Sequence, residues 1–196
     1  MGVQLAAEAL ARGHRAIVVH GPMTEPLPSG ARTILVEQTH EMERALRQHA
    51  RSADVVLMAA AVSDFRSARP AAGKLSRQGR RVLTLTATPD IIGRLPRRRR
   101  QLLVGFAVES ADVVRRAKRK LRQKRLDLLL AQLAPPPNRL VGGRGAPFGR
   151  HRVQAWLLAR SGPVRPLGKI TKPQVARTLL DKIEALWYGQ PECAQT

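Results

Sequence analysis

Short apolar runs alternate with amphipathic stretches along the whole chain. The strand-like runs are RAIVVH (15–20), TILVE (33–37), DVVLMAAAV (54–62), RVLTLTA (81–87), LLVGFAV (102–108), LDLLLA (126–131) and VQAWLLA (153–159). Between them, helical spacing predicts helices over 3–12, 40–51, 89–95, 110–124 and 172–188. Several strands are apolar at consecutive rather than alternate positions, as in a parallel sheet covered by helices on both faces. VLTLTA is the exception: its alternation predicts one buried face and one face that is wet or paired with a partner. Caps support two boundaries. Thr88 is placed as the N-cap of a helix with Pro89 at its first position and Asp90 in its first turn, and Ser110 as a cap with Asp112 just inside. The helix after Ser110 carries Val114, Ala117 and Leu121 on one stripe, with cations around the rest. The fold class is therefore α/β with a doubly wound sheet.

Composition narrows this picture. A chain of 196 residues fits one domain, placed at 1–188, with a polar tail at 189–196. No apolar run approaches the ~20 residues of a spanning helix. The start reads as helix and strand rather than as a signal peptide, and Ala6 stands where a myristoylation signal needs Ser or Thr. A cytoplasmic protein is expected. The single Cys193 lies in the tail, which leaves no internal disulfide and no cysteine-based metal site. The five histidines form no HxxxH pair, and His40 with Glu43 reads as a solvated pair in a helix's first turn, so no metal site is expected.

The net charge of +21, from 35 Lys and Arg against 14 Asp and Glu, would attract polyanions. Aromatic residues are only 3% of the chain, too few for base-stacking platforms. Nucleic acid is thus disfavoured as a selected partner, and the plainer sources of the charge are an arginine-rich proteome or a site for phosphorylated small molecules. RLPRRRR (94–100) reads as an exposed connection, and the Pro-, Gly- and Arg-rich segment 134–150 as a mobile loop.

Within VLMAAAVSDFR (56–66), a run long enough for a buried strand ends in the ionisable pair Asp64 and Arg66. Ligands of open parallel sheets sit beyond the carboxyl ends of strands. Small residues at 59–61 let a planar ring approach, and a carboxylate there can hold a sugar hydroxyl, a base edge or a phosphate-bound Mg²⁺. The plainer alternative is an Asp that caps the next turn.

The order of MAAAVSDFR, GKLSR, LTLTATPDII, LLVGFAVES, a basic helix, KRLDLLLA, a Gly-rich loop with FG, and ITKPQVARTLLDKI resembles phosphopantothenoylcysteine synthetase. That family is the CTP-dependent ligase of bacterial coenzyme A synthesis, the C-terminal domain of DNA/pantothenate metabolism flavoproteins. The resemblance runs from about Gly2 to Leu186. It implies a Rossmann-like three-layer sandwich with a mostly parallel sheet, and a two-step ligation. 4′-Phosphopantothenate attacks the α-phosphate of CTP, and cysteine then displaces CMP from the acyl-cytidylate. Carried over by resemblance, Met58, Ala59, Ala60 and Asp64 contact the nucleotide, as do the turn Thr88, Pro89, Asp90 and Ile91, and Phe106, Lys120 and Lys124. Lys74 matches the essential first lysine of a Lys-x-Lys-Lys motif, whose later basic positions are Ser76 and Arg77 here, and the resemblance implies both a catalytic and a nucleotide-binding role for it. The resemblance further implies Mg²⁺ carried by the nucleotide, no flavin in this chain, a homodimer paired near VLTLTA and KLSR, and a phosphopantothenoylcysteine decarboxylase as a separate partner.

The sequence departs from the family at several points. It starts at the equivalent of a Met-Gly that follows the family's first strand and Ser/Gly-rich phosphate loop, so a gap or exposed edge is expected in the sheet. An Ala-Asn pair reads Ala131-Gln132, and the Phe-Gly-Ser-Asp-x-Asn loop reads Phe148-Gly149-Arg150-His151-Arg152-Val153. Two other functions compete: a non-catalytic relative that binds nucleotide or a partner, and an electrostatic nucleic-acid binder whose affinity falls steeply with salt.

Overall fold

A computed structural model describes residues 1–77, 79–134 and 152–189. The segment 135–151, most of the expected mobile loop, and the tail from 190 onward with Cys193 lie outside the described residues.

In chain order the elements are α1 (Gly2–Ala11), β1 (Ile17–His20), β2 (Arg32–Leu35), α2 (Thr39–His49), β3 (Val55–Met58), β4 (Phe65–Ser67), β5 (Leu85–Ala87), β6 (Leu102–Glu109), α3 (Val113–Gln123), β7 (Leu128–Leu133), β8 (Val153–Ala159), β9 (Arg165–Ile170) and α4 (Lys172–Tyr188). The central sheet has the order β3-β6-β7-β8-β9. Its first three strands are parallel, as expected for the apolar runs that form them, whereas β8 and β9 add an antiparallel half. β9 went unread in the sequence. Its Pro166 and Gly168 lower strand propensity, but an edge strand tolerates both.

Alternation along the strands sorts two cores. Val56, Leu103, Ala107, Leu129 and Leu158 face α3, where Val113, Ala117 and Leu121 cover them. Val104, Leu128 and Leu157 face the opposite way, onto Leu5 of α1 and Ala176, Leu179, Leu180 and Ile183 of α4. This is the α/β, three-layer architecture expected. The buried stripe of α3 uses Val113 rather than the expected Val114, because 113, 117 and 121 follow one another at i, i+4 and i+8 on one face. Asp112, not Ser110, precedes its first turn, in the left-handed region at φ 49.

β1 and β2 form a parallel pair of their own, hydrogen-bonded to neither β3 nor any other strand of the central sheet. The expected break in the sheet thus falls between this pair and β3. Side chains bridge it: Val19, Ile34 and Val36 pack with Met42 and Ala45 of α2, with Ile91, and with Met58 of β3.

α4 opens on Thr171, whose Oγ1 accepts from the Gln174 N–H. It ends at Gly189, whose φ of 71 suits the residue that stops a helix. Arg12 ties α1 to α4 through Glu8 (2.9 Å), Asp181 (2.7 Å) and Glu184 (2.8 Å), and His14 Nε2 lies 2.8 Å from Glu184 Oε1. His14 first, with Arg12 adding to it, holds the Glu184 carboxyl below its usual range. A carboxylate whose folded pKa is depressed contributes stability that is present above the unfolded value of about 4.3 and is lost as pH falls through the folded value. Between pH 5 and 3, Glu184→Gln is therefore expected to lose less stability than the parent protein. Melting temperatures measured across that window check it.

Candidate functional site

β3 ends at Met58, and the chain runs without regular secondary structure through 59–63 before entering an antiparallel arm, β4 with β5, in which Phe65 pairs Ala87. The Thr88 N–H donates to the Asp64 carbonyl (2.9 Å), and Ser63 Oγ donates to the Phe65 carbonyl (2.7 Å). The Asp64 backbone thus closes the base of the arm. Its carboxylate caps no turn and makes no hydrogen bond or ion pair among the described residues.

Residues 89–95 form turns, not the expected helix. Asp90 takes the cap's place: its Oδ1 accepts from the Gly93 N–H (3.3 Å) and from Lys124 Nζ (3.0 Å), and the Arg94 N–H donates to its carbonyl (3.1 Å), a single turn that Gly93 and Pro96 do not extend. A Cβ at position 93 would stand 2.6 Å from Asp90 Oδ2, so the turn needs glycine there. Thr88 is not the cap. Its Oγ1 is buried with no hydrogen-bond partner among the described residues. Ile91, Ile92 and Leu95 anchor the turn in the core.

Together these pieces enclose a cavity of about 220 Å³ between the end of β3, the middle of β6 and α3. Ten of the twelve residues singled out by resemblance line it: Met58, Ala60, Asp64, Thr88, Pro89, Asp90, Ile91, Phe106, Lys120 and Lys124. Ala59 does not, because alternation turns it to the opposite face, against the α1–α4 core. Lys74 does not either; it lies exposed in the arm between β4 and β5.

Residues missed by the sequence reading complete the wall, chiefly Gly105, Leu126 and Leu129. A Cβ on Gly105 would come within 2.5 Å of Leu126 Cδ1 and 3.1 Å of Leu129 Cδ1. A glycine inside a strand is itself a signal of close approach, so LLVGFAV held the clue.

Lys120, in the last turn of α3, and Lys124, its C-cap, both reach this cavity. Lys124 pairs with Asp90, and Lys120 Nζ lies 2.7 Å from Oε1 of Glu109, the last residue of β6. The cavity therefore combines a small apolar slot, a carboxylate free among the described residues, an unpartnered hydroxyl and two ammonium groups. Such a set suits a planar, hydroxylated, phosphorylated molecule.

A shallower depression of about 460 Å³ runs along α2, lined by His40, Glu43, Arg44, Arg47, Gln48 and Arg51. It is the solvated face of one helix, with Glu43 paired to Arg47 at 2.9 Å, and it converges on no strand ends. RLPRRRR is less open than expected. Arg97 donates to the carbonyls of Arg125 (3.0 Å) and Gln101 (3.1 Å) and to Asp127, and Arg100 lies 5.6 Å above the Trp187 ring. Part of the charge thus serves the fold. Among the described residues, no group of three or more His, Cys, Asp or Glu is gathered as metal ligands, and no helix is long and apolar enough to cross a membrane.

Residues 1–186 match the family described as the DNA/pantothenate metabolism flavoprotein C-terminal domain. The coenzyme A biosynthesis bifunctional protein CoaBC of Bacillus subtilis is 33% identical over 189 residues, 95% of this chain and 45% of the relative. A protein named cysteine/cysteine sulfinic acid decarboxylase, from an unknown prokaryotic organism, is 33% identical over 190 residues, 95% of this chain and 51% of the relative. Among solved structures, the C-terminal domain of a coenzyme A biosynthesis bifunctional protein CoaBC superposes with a TM-score of 0.76 at 28% identity, covering 96% of this chain and 83% of that one. The chain spans about half the length of the curated relatives it matches.

Proposed function

Because the chain belongs to the DNA/pantothenate metabolism flavoprotein C-terminal domain family, we propose that it ligates 4′-phosphopantothenate to cysteine with CTP as the activating nucleotide. The observation that carries this reading is the convergence of ten resemblance-derived residues, two of them lysines, on one cavity.

The chemistry needs a held nucleotide and neutralised phosphate charge. A carboxylate oxygen of the acid forms a bond to the α-phosphorus as the bond to pyrophosphate breaks. The cysteine amine then bonds to the activated carbonyl carbon, loses a proton, and releases CMP. In this scheme the slot between Ala60 and Gly105 takes the base, Asp64 faces the ribose or the Mg²⁺ carried by the phosphates, and Lys120 and Lys124 face phosphate. Mg²⁺ contributes further neutralisation of the phosphates when the nucleotide brings it.

The test is an omission series. Amide product, CMP and pyrophosphate are expected only when CTP, 4′-phosphopantothenate and cysteine are all present. A second reading, a relative that binds nucleotide without ligation, is favoured by Gln132, a buried amide at the end of β7 where the ligase pattern has Asn. Binding of CTP with no pyrophosphate released in the full mixture would select it.

The arm supports a homodimer. RVLTLTA does not bury one face as expected: β5 is exposed throughout, and Val82 and Leu83 are 83% and 68% exposed, with Phe65 and Leu85 beside them. Exposed apolar side chains gathered on one arm are costly in water and fit a second copy of the arm. Light scattering is expected to give twice the mass of the chain, and Leu83→Asp to give the monomer. A monomeric parent protein contradicts the pairing.

A further inference from the structure

At the end of β6 the burial pattern inverts. Val108 is 44% exposed, while its charged neighbour Glu109 is only 6% exposed. A carboxylate so placed is costly unless cations and hydrogen bonds compensate it. Lys120 Nζ lies 2.7 Å from Oε1 and Arg116 Nη1 lies 3.6 Å from Oε2, yet Oε1 has no well-aligned hydrogen bond. The carboxylate therefore acts mainly as a fixed negative charge.

Anchoring α3 is not a sufficient reason for it. Val113, Ala117 and Leu121 already seat that helix in the core. Nor do the cations need Glu109, since both side chains stay about two-fifths exposed and water can solvate them. What Glu109 does determine is direction. A helical lysine side chain leans toward the helix N-terminus, and the buried carboxylate holds the Lys120 ammonium against the end of β6. Lys120 lines the cavity, whereas Glu109 does not. Lys124 is held differently, by Asp90, whose side chain is 42% exposed and free to yield to an incoming phosphate. Glu109 cannot turn away into solvent.

We propose that Glu109 is a positioning residue: it holds the Lys120 ammonium so that it faces the phosphate of the bound nucleotide, and it contacts no substrate itself. This rests on the reading of the cavity as a nucleotide site.

The experiment titrates CTP with Mg²⁺ into the full chain and into Glu109→Gln, Lys120→Gln and the double variant, with melting temperatures alongside. Glu109→Gln and Lys120→Gln are each expected to weaken binding about tenfold, and the double variant no more than Lys120→Gln alone, because both changes remove one interaction. Losses that multiply in the double variant overturn the proposal. So does a Glu109→Gln variant that melts lower with unchanged affinity, the signature of a purely structural residue. A second readout needs no ligand. After reductive ¹³C-methylation, the Lys120 methyl signal, assigned with Lys120→Arg, is expected to shift and narrow in Glu109→Gln as the ammonium is released from the end of β6; an unchanged signal overturns the proposal. If the parent binds no CTP, the proposed function fails, and the lysine methyl signal alone decides whether Glu109 positions Lys120.

Discussion

Replacing Lys74 with glutamine is expected to slow amide formation about 10³-fold while leaving CTP affinity within about twofold of the parent. The two halves of this expectation have different sources. The loss of rate follows from the resemblance, which matches Lys74 to an essential lysine. The retained affinity follows from the geometry. Lys74 is exposed in the arm between β4 and β5, forms no hydrogen bond or ion pair among the described residues, and does not line the cavity. A cation that meets the substrate only as charge develops lowers kcat without changing ground-state binding. Steady-state kinetics paired with a binding titration separates the two. If affinity falls as far as the rate, Lys74 is a ground-state nucleotide ligand.

Asp127→Ala is expected to destabilise the fold by about 3 kcal/mol, lowering the melting temperature by roughly 6–12 °C. Asp127 stands between α3 and β7 and gathers three groups. Its Oδ2 accepts from the Leu103 N–H (2.8 Å) and from Arg97 (2.5 Å), and its Oδ1 lies 3.3 Å from Arg160. Its side chain is 12% exposed, so removal strands a backbone donor and two guanidinium groups that also hold the Arg125 carbonyl. That carbonyl belongs to a residue at φ 52, the turn that returns the chain from α3 to β7 and so shapes the cavity wall at Leu126. Asp127→Asn keeps an acceptor for Leu103 and is expected to cost less. A urea titration of both variants measures the difference, and a loss below about 1 kcal/mol for Ala would reduce the cluster to a surface ion pair.

Much of this architecture is legible in the chain because burial writes itself as pattern. VVLM, LLVGFAVE and LLLAQL are apolar on consecutive positions and become the parallel strands covered on both faces. Ala117 and Leu121 of the α3 stripe were readable for the same reason. Strand direction was not. VQAWLLA reads alike whether it runs parallel or antiparallel to β7, so the antiparallel half went unseen. The turn at 89–95 misled because Pro89 and Asp90 suit a helix start equally well. Part of what holds the turn, the ion pair from Lys124 to Asp90, joins residues 34 apart and cannot be read locally. Periodicity alone also could not separate Ala60, at the cavity, from Ala59 on the other face, until the register of β3 against β6 was known. Glu109 was hidden for a similar reason: its partners lie on the next helix, and nothing in AVES marks a buried charge.

The most direct test of the central claim, that this cavity holds the nucleotide, is a CTP titration followed by methyl NMR at moderate salt. The account predicts saturable shifts concentrated at Met58, Val62, Ile91, Ile92, Leu126 and Leu129, which line the cavity. CTP that perturbs none of these methyls, or shifts that vanish as salt rises in the manner of surface polyanion binding, would contradict it.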